Sequence, residues 1–135
     1  MKNPLCSLVV CVFLVCGIAA AQKASQSNKG KEKEMRIELL YFNSCPSYKR
    51  ALANIKAALK EKNLRAELKL IGVESEEKAR KVGFQGSPSV RINGRDLEGR
   101  DEGFSFSCRL YSVNGKPSTA PSREAIIAKL ESLIK

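Results

Sequence analysis

The chain has 135 residues, with 24 Lys or Arg, 14 Asp or Glu and no His, which gives a formal net charge of +10. The lack of His removes the commonest general base and the commonest zinc ligand. The basic residues are spread along the chain and mixed with Glu, without aromatic interleaving or a known nucleic-acid-binding motif. We therefore interpret the excess charge as a solvated surface and expect no nucleic-acid partner.

Residues 1–21 have the pattern of a secretory signal peptide. Lys2 supplies the positive charge, residues 5–19 are apolar and uncharged, and small residues up to Ala21 offer a cleavage site. The apolar run is shorter than the about 20 residues of a comfortable membrane span, so we expect cleavage and no permanent span. The chain is thus predicted to be exported, to the periplasm or outside the cell, without three of its cysteines: Cys6, Cys11 and Cys16.

The remaining chain divides into a linker and one domain. Residues 22–34 are polar and low in complexity, which predicts a flexible linker. Residues 35–135 are enough for a single domain with its own core.

Hydrophobic periodicity predicts the elements of this domain. We expect a buried strand over 36–42, a helix from Pro46 to about Asn63, a strand over 66–71, a helix over 75–82 that ends at Gly83, and a strand over 89–92. Asn93-Gly94 predicts a hairpin into a return strand at 95–98. Residues 99–121 read as a loop with one short strand near 108–113, and Ser122 caps a last helix. The order β-α-β-α-β-β-α predicts an α/β domain with a small mixed sheet and helices on its faces.

Cys45-Pro46 lies at a predicted junction between a strand and a helix. Free N–H groups and the helix dipole favour a thiolate at such a helix start. Because the thiolate is the reactive form of cysteine, we expect Cys45 to be the principal thiol of a functional site.

The domain resembles the thioredoxin fold over residues 36–135. Three pieces carry the resemblance: a strand, Cys45-Pro46 and a helix; the stretch from Ala79 to Val90 with Ser87-Pro88; and the Asn93-Gly94 hairpin. The resemblance implies a cis Ser87–Pro88 bond that lies across the site from Cys45.

The sequence departs from that family at its redox motif. The family has Cys-x-x-Cys, whereas this chain has Cys45-Pro46-Ser47-Tyr48, so Tyr48 stands where the second cysteine would be. Cys108 is then the distal candidate for a partner sulfur.

Three functions remain open for these two cysteines. The first is thiol–disulfide exchange, or redox-dependent binding, with an unidentified protein or small thiol, for which an attacking and a resolving sulfur are required. The second is a non-catalytic domain held together by a Cys45–Cys108 disulfide. The third is a thiolate site for a soft metal ion, formed by the same two cysteines. We expect no cofactor.

A second resemblance concerns the third function. The Tyr-Phe-x-x-Cys-Pro entry and the later Ser-Cys-Arg are distantly similar to the organomercurial lyase family, which uses two cysteines and an aspartate as proton donor. Asp96 or Asp101 would supply that carboxylate. Arg109, next to Cys108, would lower a thiol pKa if it were close, but we interpret it as a surface charge.

Overall fold

The computed structural model describes residues 34–135, so the predicted signal peptide and nearly all of the predicted linker lie outside the described residues. The elements are β1 (Met35–Tyr41), α1 (Ser47–Glu61), β2 (Ala66–Gly72), α2 (Glu76–Val82), β3 (Gln85–Ser87), β4 (Ser89–Ile92), β5 (Arg95–Asp96), β6 (Ser105–Cys108), β7 (Tyr111–Val113), β8 (Lys116–Ser118) and α3 (Arg123–Ile134).

The largest sheet within this region has four strands in the order β2-β1-β4-β5. β1 pairs with β2 in parallel, as expected for strands joined through a helix. β4 pairs antiparallel with both β1 and β5. The α/β class and the mixed sheet predicted from the sequence are therefore confirmed.

Alternation along β1 gives the sheet two buried faces. Ile37 and Leu39 pack with buried residues of α1 and α3, including Ile55 and Leu130. Leu40 points to the opposite face, where it packs in a smaller cluster with three other buried residues: Val73, Ala79 and Phe84. Helices thus cover both faces of the sheet, and the first thiol-bearing segment follows directly from the buried strand β1.

Local capping signals fix the ends of the shorter elements. The Ser75 side chain accepts a hydrogen bond from the Lys78 N–H at the start of α2, and Ser122 does the same for Ala125 at the start of α3. Gly83 ends α2 in the left-handed conformation. Asn93 and Gly94 have positive φ angles of 52° and 82°, as a tight hairpin turn requires.

The region between the hairpin and α3 has more regular structure than the sequence predicted. The predicted short strand near 108–113 is present as β7, and the region also contains β6 and β8, the second of which pairs antiparallel with β7. β6 pairs in parallel with β3, a strand that the sequence analysis missed. Both strands are short and their pairing is non-local, so neither gives a periodic signal of its own.

Among residues 34–135, no helix is both long and apolar enough to cross a membrane.

Gly86 on β3 lies close to the end of β6 and to the residue that follows it. Its φ is +93°, and a Cβ there would lie 3.0 Å from Arg109 Cβ and 3.0 Å from the Ser107 carbonyl oxygen. We expect Gly86→Ala to lower the free energy of unfolding by roughly 1–3 kcal/mol from this overpacking alone, in addition to the cost of the positive φ. Urea denaturation of the reduced protein measures the change.

Gly99→Ala is the matched control. Gly99 also has a positive φ, of +77°, but a Cβ there meets nothing within 4 Å. Gly99→Ala should therefore lower the free energy of unfolding only by the cost of placing alanine at a positive φ, without overpacking. Equal losses in the two variants would contradict a close contact at Gly86.

Candidate functional site

Cys45 lies between the end of β1 and the start of α1. Its N–H donates to the Phe42 carbonyl at 3.1 Å, and Pro46 is the N-cap residue of α1. The residue is only 3% exposed. Its thiol donates a hydrogen bond of 3.5 Å to the carbonyl oxygen of Ser87. The predicted position of Cys45 at a helix start is confirmed, but the thiol is covered.

Ser87 connects the Cys45 segment to the rest of the site. The Ser87–Pro88 peptide bond is cis, which confirms the expectation from the sequence. The Ser87 hydroxyl accepts a hydrogen bond from the Phe42 N–H at 3.3 Å. Its carbonyl accepts a second bond from the Arg109 N–H at 2.9 Å, in addition to the one from Cys45. Ser87 therefore touches both segments that carry the cysteines.

Cys108 ends β6 and is aligned with Ser87 in the β3–β6 ladder. Unlike Cys45, it is exposed, and both cysteines are free thiols. Loss of hydration raises the pKa of the Cys108 thiol, and the neighbouring Cys45 raises it further through its charge and a hydrogen bond. Cys45, from a distant part of the chain, therefore lies close enough to Cys108 to raise the pKa of its thiol.

Aromatic residues lie within three positions of each cysteine in the sequence. Phe106, two residues before Cys108 on β6, packs against Phe42 with ring centroids 5.5 Å apart and is itself 41% exposed. Tyr48, three residues after Cys45, stacks on Tyr41 with ring centroids 4.1 Å apart. Tyr48 thus makes an aromatic contact at the first turn of α1.

Arg109 is buried, so its interpretation as a surface charge was wrong. Only 2% of the residue is exposed. Its guanidinium donates to both carboxylate oxygens of Asp96, at 2.6 and 2.8 Å, to Glu98 at 3.0 Å and to the Ser89 hydroxyl at 3.3 Å. It also lies 4.6 Å from the centre of the Tyr111 ring. A charge neutralised by two carboxylates is poorly suited to stabilising a thiolate.

Asp96 and Asp101 have structural partners. Burial alone would raise the pKa of Asp96, but the hydrogen bonds and charge of Arg109 outweigh this effect and hold that pKa below its ordinary value. The Asp101 carboxylate accepts a hydrogen bond from the Asp96 N–H at 2.8 Å. A proton donor must carry a proton at the working pH, so the ion pair disfavours Asp96 in the role suggested by organomercurial lyases.

The predicted site residues thus fall into two groups. Cys45 and Cys108 both lie next to Ser87, and Pro88 follows Ser87 through the cis bond, with its carbonyl accepting a 2.7 Å hydrogen bond from Tyr111. Pro46 and Tyr48 support the start of α1. Sequence reasoning missed the contribution of Asp96, Glu98 and Tyr111 to the burial of Arg109, and no motif marks these residues.

Within residues 34–135 no group of three or more His, Cys, Asp or Glu side chains is arranged to hold a metal ion. Comparison of the chain with protein-family models, with curated proteins and with solved structures finds no match.

The two thiols should differ in reactivity towards iodoacetamide. We expect Cys108 in a Cys45→Ser variant to be alkylated roughly tenfold or more faster at pH 9 than Cys45 in a Cys108→Ser variant, because reagent reaches Cys45 only after local opening. Mass spectrometry of quenched samples gives both rates. Equal rates would contradict the burial of Cys45.

The pH profile of Cys108 alkylation tests the contact between the thiols. In the wild-type protein its midpoint should lie above the ordinary cysteine pKa of about 8.5. Cys45→Ser should lower the midpoint by removing the charge and the hydrogen bond of the Cys45 thiol, but not fully, since the loss of hydration remains. An unchanged midpoint in Cys45→Ser would show that the thiols do not interact.

Asp96 should make the fold sensitive to acid. Its pKa is lowered by folding, so its contribution to stability is present above the unfolded value of about 3.9 and is lost as the pH falls through the lower folded value. Asp96→Asn should be less stable at pH 7 and lose less stability between pH 7 and pH 3 than the wild type. Urea unfolding at both pH values measures this, with the exposed Glu67→Gln as control. Parallel losses in Asp96→Asn and the wild type would refute the assignment.

Proposed function

We propose that this protein is an exported, thioredoxin-like thiol–disulfide exchange protein that uses Cys45 and Cys108 as its reactive pair. The observation that carries the proposal is the placement of both cysteines next to the same residue, Ser87. Cys45 donates to the Ser87 carbonyl, Cys108 is aligned with Ser87, and the pKa of Cys108 responds to Cys45. Exchange requires two sulfurs that can reach each other.

The strand, Cys45-Pro46 and helix, the cis Ser87–Pro88 bond and the Asn93-Gly94 hairpin support the thioredoxin-like part of the proposal. The second sulfur comes from β6 rather than from the first turn of α1. In this arrangement the second cysteine of the pair is supplied by a strand pairing instead of by a local motif.

Exposure favours Cys108 as the sulfur that meets the partner, although the sequence pointed to Cys45. The Cys108 thiolate attacks one sulfur of a partner disulfide, which forms a mixed disulfide and releases the first partner thiol. The Cys45 thiolate then attacks the Cys108 sulfur, which forms the Cys45–Cys108 bond and releases the second partner thiol. Two electrons pass from the protein to its partner, and the reverse sequence oxidises a partner dithiol.

The raised pKa of Cys108 has a consequence for this reaction. A smaller fraction of the thiol is ionised at neutral pH than for an ordinary cysteine, so attack should accelerate as the pH rises. Phe106, two residues before Cys108 on the same face of β6, offers a partly exposed apolar surface against which a partner can pack.

The reduction potential of the Cys45–Cys108 bridge tests the proposal. We expect a bridge to form in air and to equilibrate with glutathione buffers near about −200 mV, the range of known exchange proteins. Purified protein is equilibrated with a series of glutathione buffers, quenched with acid and alkylated. Mass spectrometry then gives the fraction of protein that carries the bridge. Cys108→Ser is the control and should show no intramolecular bridge.

Two results would overturn the proposal. A bridge that resists reduction below about −300 mV would identify a structural disulfide instead. Failure to form any bridge in air would exclude both disulfide functions, and titration with a thiophilic metal ion would then test the remaining one.

A further inference from the structure

The Arg109 cluster, which consists of Arg109, Asp96, Glu98, Ser89 and Tyr111, is the one group of buried charges in the described region whose role exchange chemistry does not explain. Both side chains of the Arg109–Asp96 pair are almost fully buried, with 0% and 1% exposure. Burying such a pair is expensive, and pairs of this kind often contribute no net stability. The place of this pair in the site suggests another role.

The cluster connects the Cys108 segment to three other elements. Asp96 belongs to β5 and Ser89 to β4. The guanidinium of Arg109, the residue after Cys108, therefore ties this part of the chain to the main sheet. The Tyr111 hydroxyl, on β7, donates to the Pro88 carbonyl at 2.7 Å. Cys108 is therefore followed by two anchored residues, Arg109 and Tyr111.

The backbone of Arg109 extends this anchor to the other thiol. Its N–H donates to the Ser87 carbonyl, the same oxygen that accepts the Cys45 hydrogen bond. Gly86 provides the space for this approach, since a side chain there would collide with Arg109. By contrast, β6 itself has an irregular, shifted register against β3 and carries three exposed residues among four. The side chain of Arg109 therefore supplies attachment that the short strand pairing lacks.

We propose that the Arg109 cluster is a positioning device that holds Cys108 within reach of Cys45 and so sets how readily the two thiols form a disulfide. This inference rests on the proposed function. A thiol held near its partner has a high effective concentration, which favours the intramolecular bond over mixed disulfides with small thiols. Arg109 acts through the backbone of Cys108 and does not itself meet the reacting sulfurs.

The test compares the equilibrium constant of the bridge with glutathione among variants of the cluster. Arg109→Lys keeps the charge but loses the forked contact with Asp96. Asp96→Asn keeps the shape but loses the ion pair. We expect each to lower the equilibrium constant by about tenfold, which makes the reduction potential about 30 mV less negative. Tyr111→Phe, which loses only the hydrogen bond to Pro88, should shift it in the same direction by less.

Arg91→Met is the matched control. Arg91 is a partly buried arginine whose side chain donates to the Val82 and Gly83 carbonyls at the end of α2 and makes no hydrogen bond to a side chain of the Arg109 cluster. Its backbone pairs with Asp96 between β4 and β5, and the substitution leaves that pairing in place. It should lower the free energy of unfolding of the reduced protein without moving the reduction potential. Unfolding of each reduced variant in urea is measured in parallel.

An unchanged potential in Arg109→Lys and Asp96→Asn, with reduced stability as in Arg91→Met, would show that the cluster is merely structural. If both variants fail to fold, Tyr111→Phe decides: a shifted potential supports the inference and an unshifted one refutes it. A wild-type bridge below about −300 mV would refute exchange but leave the comparison among variants measurable. Absence of any bridge in the wild type would refute both.

Discussion

The hydrogen bonds of Ser87 bring together the three segments on which the site depends. Its hydroxyl accepts a hydrogen bond from the N–H of Phe42, the first residue after β1. Its carbonyl accepts hydrogen bonds from both the Cys45 thiol and the Arg109 N–H. The residue is 1% exposed, so an unpaired polar group there would be costly. Because one buried residue serves all three contacts, the loop before α1 and the segment after β6 cannot be displaced independently of each other.

The buried Arg109–Asp96 pair places a second constraint on the same region. Neither charge would be tolerated alone, and removing one partner of such a pair typically costs about 3–5 kcal/mol. Hydrogen bonds from the Glu98 and Arg100 N–H groups to Asp96 satisfy further acceptor sites. One buried atom, Arg109 Nε, has no hydrogen-bond partner, so the compensation is incomplete. The free-energy cost of burying the pair is consistent with the proposed role of the Arg109 cluster, which is to fix the position of Cys108 rather than to stabilise the fold.

Local signals in the sequence were sufficient for most of the fold. Ser75, Gly83 and Asn93-Gly94 each act within a few residues of their own position, so their effects on helix ends and turns are readable from the chain. Cys45-Pro46 is likewise a local signal, which marks the start of α1. The burial of Arg109 was not predictable in this way, because it depends on Asp96, whose approach is determined by the tertiary fold. The β3–β6 pairing, between strands of three and four residues, was missed for the same reason.

The unequal exposure of the two thiols changes how the pair should be understood. A helix start favours a reactive Cys45, yet this residue is 3% exposed, whereas Cys108 on a short strand is open to solvent. If both sulfurs were exposed, each could be captured by a separate partner, and a mixed disulfide would not resolve. With one sulfur covered and the other accessible, the proposed partner would bond to Cys108, and Cys45, the other thiol among residues 34–135, would release it. In the proposed exchange, burial of Cys45 therefore sets the order of the two steps, and the attachment of Cys108 through Arg109 determines whether the second step can occur.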